Sequence, residues 1–274
     1  MKKLLILILS LMLITFGTLI YSRFLGTIGL NTNEISIHAN LDEGYQGLKI
    51  VHFSDLHYKK VITEKRVKEL IQEINRNKPD LIFFTGDLLD EDYTLNNKDI
   101  NFLIKELKKL KSTYGIYAVM GDNDYSNEEG VKSIYLQSNI TLLHNESIYL
   151  YNENNNKILL QGLGSYLKDF DLKQATLEQE DENCYKISLV HEPDAINSIL
   201  KQKNPPSLIL GGHSLNGSIN IPIIKNLFLP KGAKTTKWAN NNQKIYISNG
   251  IGVNNINFRL FNHPSINLYR FITK

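Results

Sequence analysis

Leu48-Lys49-Ile50-Val51-His52-Phe53-Ser54-Asp55-Leu56-His57 is the stretch whose reading decides the fold. A mostly apolar run stops abruptly at a serine, an aspartate and a histidine. The same pattern recurs. Leu81 to Thr85 is continuously apolar and ends in Gly86-Asp87, and Gly115 to Met120 ends in Gly121-Asp122-Asn123-Asp124. Tyr185 to Val190 is followed by His191, and Leu208 to Leu210 by Gly211-Gly212-His213. Short runs of this kind suit strands buried on both faces. Between them lie helices. Val67, Leu70, Ile71 and Ile74 share helical spacing over Thr63 to Asn77, with Thr63 as N-cap and Pro79 as stop. Ile100 to Leu110 and Glu128 to Gln137 also read as helix. Alternating strand and helix implies parallel strands joined by crossovers.

Outward from this core the character changes. Glu34 to Ala39 reads as a short strand before it. From Leu142 strands dominate: Ser147 to Tyr151, Ile158 to Leu163, then Ile245 to Ser248 and Ile266 to Ile272. Two sheets packed face to face, each covered by helices, accommodate both halves.

The polar residues gather where strands end, and in open α/β sheets ligands bind at that edge. One such aspartate is ordinarily a turn former, and one such histidine ordinarily a satisfied core residue. Asp55, His57, Asp87, Asp122, His191 and His213 together exceed what packing explains. Carboxylates with neutral imidazoles suit Mn, Fe, Zn or Mg rather than calcium. Two such cations can share a carboxylate, activate a water and offset phosphate charge.

The ordered set resembles the calcineurin-like metallophosphoesterases, whose pattern is Asp-x-His, Gly-Asp, Gly-Asn-His-Asp/Glu, His and Gly-His-x-His. Here it stands as Asp55-Leu56-His57, Gly86-Asp87, Gly121-Asp122-Asn123-Asp124, His191 and Gly212-His213-Ser214-Leu215. The segments His191-Glu192-Pro193-Asp194 and Ser248-Asn249-Gly250 are similar to the bacterial membrane-associated branch. The resemblance implies a four-layer α-β-β-α sandwich and two divalent metal ions at the strand ends. Asp55 and His57 would bind the first, Asp87 would bridge, and Asp122, His191 and His213 would bind the second. Asp122 and Asn123 take the catalytic positions, Asn123 where the family has a histidine that assists the phosphate or leaving group.

Three positions depart from the pattern. Leu215 replaces a histidine and leaves the first metal site weakened. Asn123 can donate a hydrogen bond to phosphate but cannot act as an acid, which favours good leaving groups such as pyrophosphates or aryl phosphates. Asp122 replaces a neutral asparagine, and the added negative charge retains cations while raising the pKa of their water. The expected activity is hydrolysis of phosphoester or pyrophosphate bonds. The alternative is a degenerate domain that binds metal or a phosphorylated ligand with little turnover.

Lys2 and Lys3 precede an uncharged run from Leu4 to Tyr21, long enough to span a bilayer. It reads as an uncleaved anchor, with a cleaved signal peptide as the alternative. The two lysines outweigh Arg23 and place the body outside the cytoplasm, at the cell membrane, single-pass. The expected organisation is an anchor over 1–26, a connecting strand over 27–47 and the phosphoesterase domain over 48–274. A phosphorylated substrate, lipid-linked or from the cell envelope, follows from that location. The net charge of +3, without a basic stripe interleaved with aromatics, gives no reason to expect nucleic acid. The lysines at 105, 108, 109 and 111 read as a solvated face, the single cysteine, Cys184, as a core thiol, and His52 as structural. His144 reads as a surface residue, and Arg259 and Asn262 as either pocket-lining or structural.

Overall fold

The computed structural model describes residues 1–39, 41, 43–59, 61–90, 92–221, 243–253 and 257–273. Helix α1 (Lys2–Ile20) continues into a π-helical turn over Tyr21–Leu25. Lys2–Leu25 contains an 18-residue window with a mean hydropathy of 2.5 and is long and apolar enough to cross a membrane. Three of its hydroxyls turn inward: Thr15, Thr18 and Ser22 donate to the carbonyls of Leu11, Ile14 and Thr18 at 2.8, 2.9 and 2.7 Å. Such back-bonding is what a helix needs where no water is at hand.

The body follows as β1 (Asn31–Ala39), β2 (Lys49–Phe53), α2 (Glu64–Arg76), β3 (Leu81–Thr85), α3 (Asn97–Leu107), β4 (Ile116–Val119), α4 (Glu128–Gln137) and β5 (Thr141–Leu142). The second half adds β6 (Glu146–Tyr151), β7 (Lys157–Gly162), β8 (Tyr185–Leu189), α5 (Ile196–Ile199), β9 (Leu208–Gly211), β10 (Lys244–Ile247) and β11 (Ser265–Thr273).

These strands form two sheets. The first has six strands in the order β1-β11-β2-β3-β4-β5, and the second five in the order β10-β9-β8-β7-β6. β2 to β5 run parallel, as do β7 to β10; β11 against β2 and β6 against β7 are antiparallel. The connecting strand is β1, which lies along β11 in parallel register from Asn31↔Ser265 to Ala39↔Thr273. Its burial alternates towards Ile37 and Ala39, so the strand belongs to the sheet edge.

Side-chain alternation separates four layers. Val51, Phe53, Ile82 and Phe84 face outward onto Val67, Leu70, Ile71 and Ile74 of α2, Leu103 and Leu107 of α3, and Ile134 of α4. Ile50, Leu81, Phe83 and Tyr269 face inward onto Ile158, Leu160, Ile187, Leu189, Leu208 and Leu210 of the second sheet. Ile209, Ile245 and Ile247 face the far side and meet Ile196 and Ile199 of α5. Each such fully buried side chain contributes about 1.5–3 kcal/mol, enough to fix both register and stacking. Thr63 caps α2 by accepting the Arg66 N–H at 3.5 Å. Cys184 is half-buried rather than in the core, because it precedes β8 and donates to the Lys157 carbonyl at 3.2 Å.

Candidate metal centre

β2, β3 and β4 end side by side, and β8 and β9 end opposite them from the second sheet. Backbone hydrogen bonds stitch the departing loops together. Asp55 N–H donates to Gly86 O at 2.9 Å, Leu56 N–H to Asp87 O at 2.8 Å and Gly212 N–H to His191 O at 2.9 Å. The turns are sharp. Asp55, His57, Asp87, His213 and Leu215 have φ of 52°, 45°, 58°, 59° and 50°. Non-glycine residues held in the left-handed region are uncommon, and they cluster where function over-determines the backbone. Gly121 is required by closeness: a Cβ there would fall 2.1 Å from Asp87 Oδ1.

The structure brings all six expected metal positions into two groups that share Asp87. Asp55, His57 and Asp87 form one; Asp87, Asp122, His191 and His213 form the other; within each group the donor atoms lie within 4.8 Å of one another. His57 Nε2 stands 3.8 Å from Asp55 Oδ1 and 3.6 Å from Asp87 Oδ2. His191 Nε2 stands 3.2 Å from Asp87 Oδ2 and 3.3 Å from Asp122 Oδ1, and His213 Nδ1 bonds Asp122 Oδ1 at 3.1 Å. Asp55, His57, Asp87 and His191 are fully buried, whereas Asp122 and His213 keep 19% and 24% side-chain exposure and form the mouth.

The donors fit cations. Asp55 Oδ1, His57 Nε2 and His191 Nε2 are buried with no aligned hydrogen-bond partner. Burying such groups unpaired is costly. In Asp55 and His191 the second atom is engaged, which fixes the first. Ser54 Oγ donates to Asp55 Oδ2, and His191 Nδ1 bonds the Thr85 carbonyl at 2.6 Å. That last bond puts the proton on Nδ1 and leaves Nε2 as a ligand atom.

Electrostatics agree. Burial alone would lower His57, but Asp55, Asp90 and Asp87 raise it to about 10. Burial would likewise lower His191, and Asp87 and Asp122 hold it well above the ordinary histidine value. Burial would raise Asp122, yet His191 and His213 hold it below the usual carboxylate range. A site this negative draws in protons or cations, and cation binding would release the protons.

Asn123, half-turned into the site, donates through Nδ2 to Asp87 Oδ2 at 2.7 Å and through its backbone N–H to Asp87 Oδ1 at 3.1 Å. Leu215 is buried beside Asp55: a Cβ on Gly250 would fall 2.3 Å from Leu215 Cδ2 and 3.0 Å from Asp55 Cβ. An apolar side chain therefore fills the space where the family pattern has a donor. Asp90 escaped the sequence reading, and Asp124 was read as part of its motif but given no role. Asp90 Oδ1 lies 3.3 Å from His57 Nδ1, at ion-pair range though not aligned as a hydrogen bond. Asp124 is buried and accepts the N–H groups of Asp87, Leu89 and Gly121 at 3.0, 3.1 and 3.0 Å. Burial, then Asp87, pushes its carboxyl up to about 7. The signals for both were in the sequence, as the third residue after Asp87 and the fourth of the Gly121 motif.

The remaining candidates are structural. His52 bonds Thr85 Oγ1 at 2.9 Å and Tyr269 OH at 3.3 Å. Arg259 is fully buried and donates to the carbonyls of Gly250, Gly252 and Asn262; Asn262 Nδ2 holds the Leu215 and Gly217 carbonyls. His144 is paired at the surface with Asp169.

A family model for calcineurin-like phosphoesterases matches residues 48–217. The uncharacterized metallophosphoesterase YkuE of Bacillus subtilis (strain 168) is 29% identical over 255 residues, covering 91% of this chain and 88% of that protein. The uncharacterized metallophosphoesterase YkoQ of the same organism is 26% identical, covering 94% and 98%. A Bos taurus protein named transmembrane protein with metallophosphoesterase domain is 26% identical over 204 residues, covering 69% of this chain and 45% of that protein.

Proposed function

Because the chain belongs to the calcineurin-like phosphoesterase family, we propose that it is a metal-dependent hydrolase of phosphoester or pyrophosphate bonds that works at a membrane surface. The observation that carries this reading is the convergence of buried, unpartnered donors on one shared carboxylate, Asp87. Asp55, His57 and Asp87 would hold one divalent cation, and Asp87, Asp122, His191 and His213 a second, drawn from Mn, Fe, Zn or Mg. When bound, such cations acidify water and offset charge on phosphate.

The chain's own groups set the rest. Asp124 clamps the loops after β3 and β4 through three backbone donors, so Asp87 and Asn123 keep their places. Asn123 Nδ2 supplies a neutral hydrogen bond at the site, and it has no proton to give a departing alkoxide. This supports substrates whose leaving groups need no acid, such as pyrophosphates and aryl phosphates. Entry is past His213 and Asp122, the half-exposed side of the site. With residues 1–26 as anchor, Lys2 and Lys3 on the cytoplasmic side and residues 48–274 as the phosphoesterase domain, the substrate would be a lipid-linked or cell-envelope phosphate.

A second reading has one observation behind it. Leu215, 2% exposed, closes the first group with hydrocarbon. The domain would then bind a cation or a phosphorylated ligand with little turnover. The purified full chain in detergent, supplied with Mn, is assayed on a chromogenic phosphodiester and monoester, with metal content measured on the same sample. Metal-dependent hydrolysis abolished by Asp87→Ala supports catalysis. Bound metal without hydrolysis supports the second reading, and absence of bound metal overturns the hydrolase and leaves only the binding of a phosphorylated ligand.

A further inference from the structure

The end of α1 is seated on the body. The Ser22 carbonyl accepts the Arg259 N–H at 3.0 Å, and Tyr21 OH lies 3.2 Å from His263 Nε2. The rings of Tyr21 and Phe261 are 5.7 Å apart. A Cβ on Gly26 would fall 1.9 Å from the Arg259 carbonyl, so the contact is close backbone against backbone. Ser22 and Thr27 are buried by it.

Around this seat stand apolar side chains open to the outside. Phe24, Leu25, Ile28 and Phe261 are 59%, 58%, 61% and 57% exposed. Phe261 has φ of 55°, a conformation in which a bulky aromatic is an outlier. Asn220 Nδ2 donates to its carbonyl at 3.1 Å and keeps it there. After residue 28, the other exposed large apolar side chains among the described residues are Leu136, Tyr151, Tyr166 and Leu167. Scattered residues of that kind need no explanation, whereas a cluster continuous with an apolar helix does.

We propose that Phe24, Leu25, Ile28 and Phe261 form a collar that enters the headgroup–acyl boundary of a phospholipid bilayer at the foot of α1, and so fixes the body against the membrane in one orientation. The proposal rests on the reading of α1 as a membrane span. Three observations select lipid as the occupant. The collar continues the uncharged run of residues 4–21, and Arg23, its guanidinium 5.5 Å from the Phe24 ring, has a stem long enough to carry its charge to the headgroups. Tyr21, amphipathic and partnered by His263, sits at the depth where aromatic belts occur. Apolar side chains at an interface gain by leaving water without needing a shaped partner.

The same loop reaches the metal centre. Asn262 Nδ2 holds the Leu215 carbonyl at 2.7 Å, two residues past His213. Leu260 N–H donates to Ser218 O at 2.9 Å, and Asn220 N–H returns to Leu260 O at 2.9 Å. The loop carrying Phe261 and the loop forming the mouth are one hydrogen-bonded unit, so seating the collar fixes how the mouth is held relative to the bilayer.

The test uses the full chain in phosphatidylcholine proteoliposomes. An environment-sensitive fluorophore is placed on single cysteines in a Cys184→Ser background: Phe261→Cys, Ile28→Cys, Leu136→Cys on α4, and Leu13→Cys within α1. Spin-labelled lipids quench at chosen depths, and iodide quenches from water. Shallow lipid quenchers should act on the 261 and 28 probes at least about twofold more strongly than on the 136 probe, with iodide showing the reverse order. If the 13 probe is quenched by lipid while the 261 and 28 probes behave like the 136 probe, the span stands and the collar is overturned. If the 13 probe is not quenched by lipid, the span itself fails and the collar with it.

Discussion

Replacing Asp90 by asparagine should weaken the binding of one cation and leave the fold intact. Asp90 is 14% exposed and its Oδ1 lies 3.3 Å from Nδ1 of His57, whose side chain is 1% exposed. A carboxylate there keeps the imidazole proton on Nδ1, and Nε2 is left facing Asp55 and Asp87. Loss of such an outer carboxylate typically costs about 10–100-fold in metal affinity, or roughly 1.4–2.7 kcal/mol. The 3.3 Å contact is not aligned as a hydrogen bond, which places Asp90→Asn near the lower end, at about tenfold. The variant keeps an oxygen of the same shape, so thermal stability should change little. Calorimetric titration of the metal-stripped chain with Mn reads both binding steps. One step should weaken about tenfold, and the step that depends on His191 and His213 should hold. If neither constant moves by more than about twofold, Asp90 does not orient His57 and this reasoning fails.

Three other outcomes follow from the same geometry. Asp122→Asn removes one negative charge from the site and lowers the pKa of cation-bound water, so the rising limb of the pH–rate profile with Mn should move to lower pH; an unmoved limb would rule out the charge effect. Leu215→His puts a donor beside Asp55 at a φ of 50° that histidine tolerates better than leucine; metal content per chain should rise, and an unchanged content would mean that the buried space cannot seat the ring. His52 gives a stability prediction: burial lowers its pKa from 6.5 to about 3, with Asp55 opposing. A depressed folded pKa means that the unfolded chain binds the proton first. Stability is therefore full above pH 6.5 and falls on acidification, by about 2 kcal/mol from this group between pH 6.5 and 5. His52→Gln should flatten that part of a urea-unfolding series, and an identical slope would remove His52 as its source.

Most of the fold was legible because buried strands and amphipathic helices carry their own periodicities. β3 was read over Leu81–Thr85 and α4 over Glu128–Gln137, the ranges observed. The strand-end aspartates and histidines were legible because they recur at the ends of five buried strands, where any one alone reads as a turn former or a core histidine. What was not legible depends on distant pairing or on direction. β1 reads as a strand from alternation, but its place at the sheet edge depends on residues 265–273. Asp90 follows two leucines after Asp87 and looks like an ordinary loop acid; only the left-handed turn at Asp87 brings it back to His57. Arg259 gave no periodic signal, since its role is to satisfy carbonyls of the Gly250–Gly252 turn.

The placement of β11 has a consequence for how the protein is made. Among the described residues β1 pairs only with β11, and β11 lies between β1 and β2. During synthesis the first strand of the body must wait for residues 265–273, many seconds at ribosomal speed. By then α1 has long since left the ribosome, and the cores around β2 to β5 and β6 to β9 can have formed. The segment that finally arrives carries Arg259, Phe261 and His263 as well as β11, so the step that completes the sheet also locks the helix end to the body. Until that moment α1 and the half-built body are joined only by the chain between them. A chain cut short before residue 259 would keep an open sheet edge and a helix α1 with no hold on the body. Quality control could recognise that molecule by both faults at once.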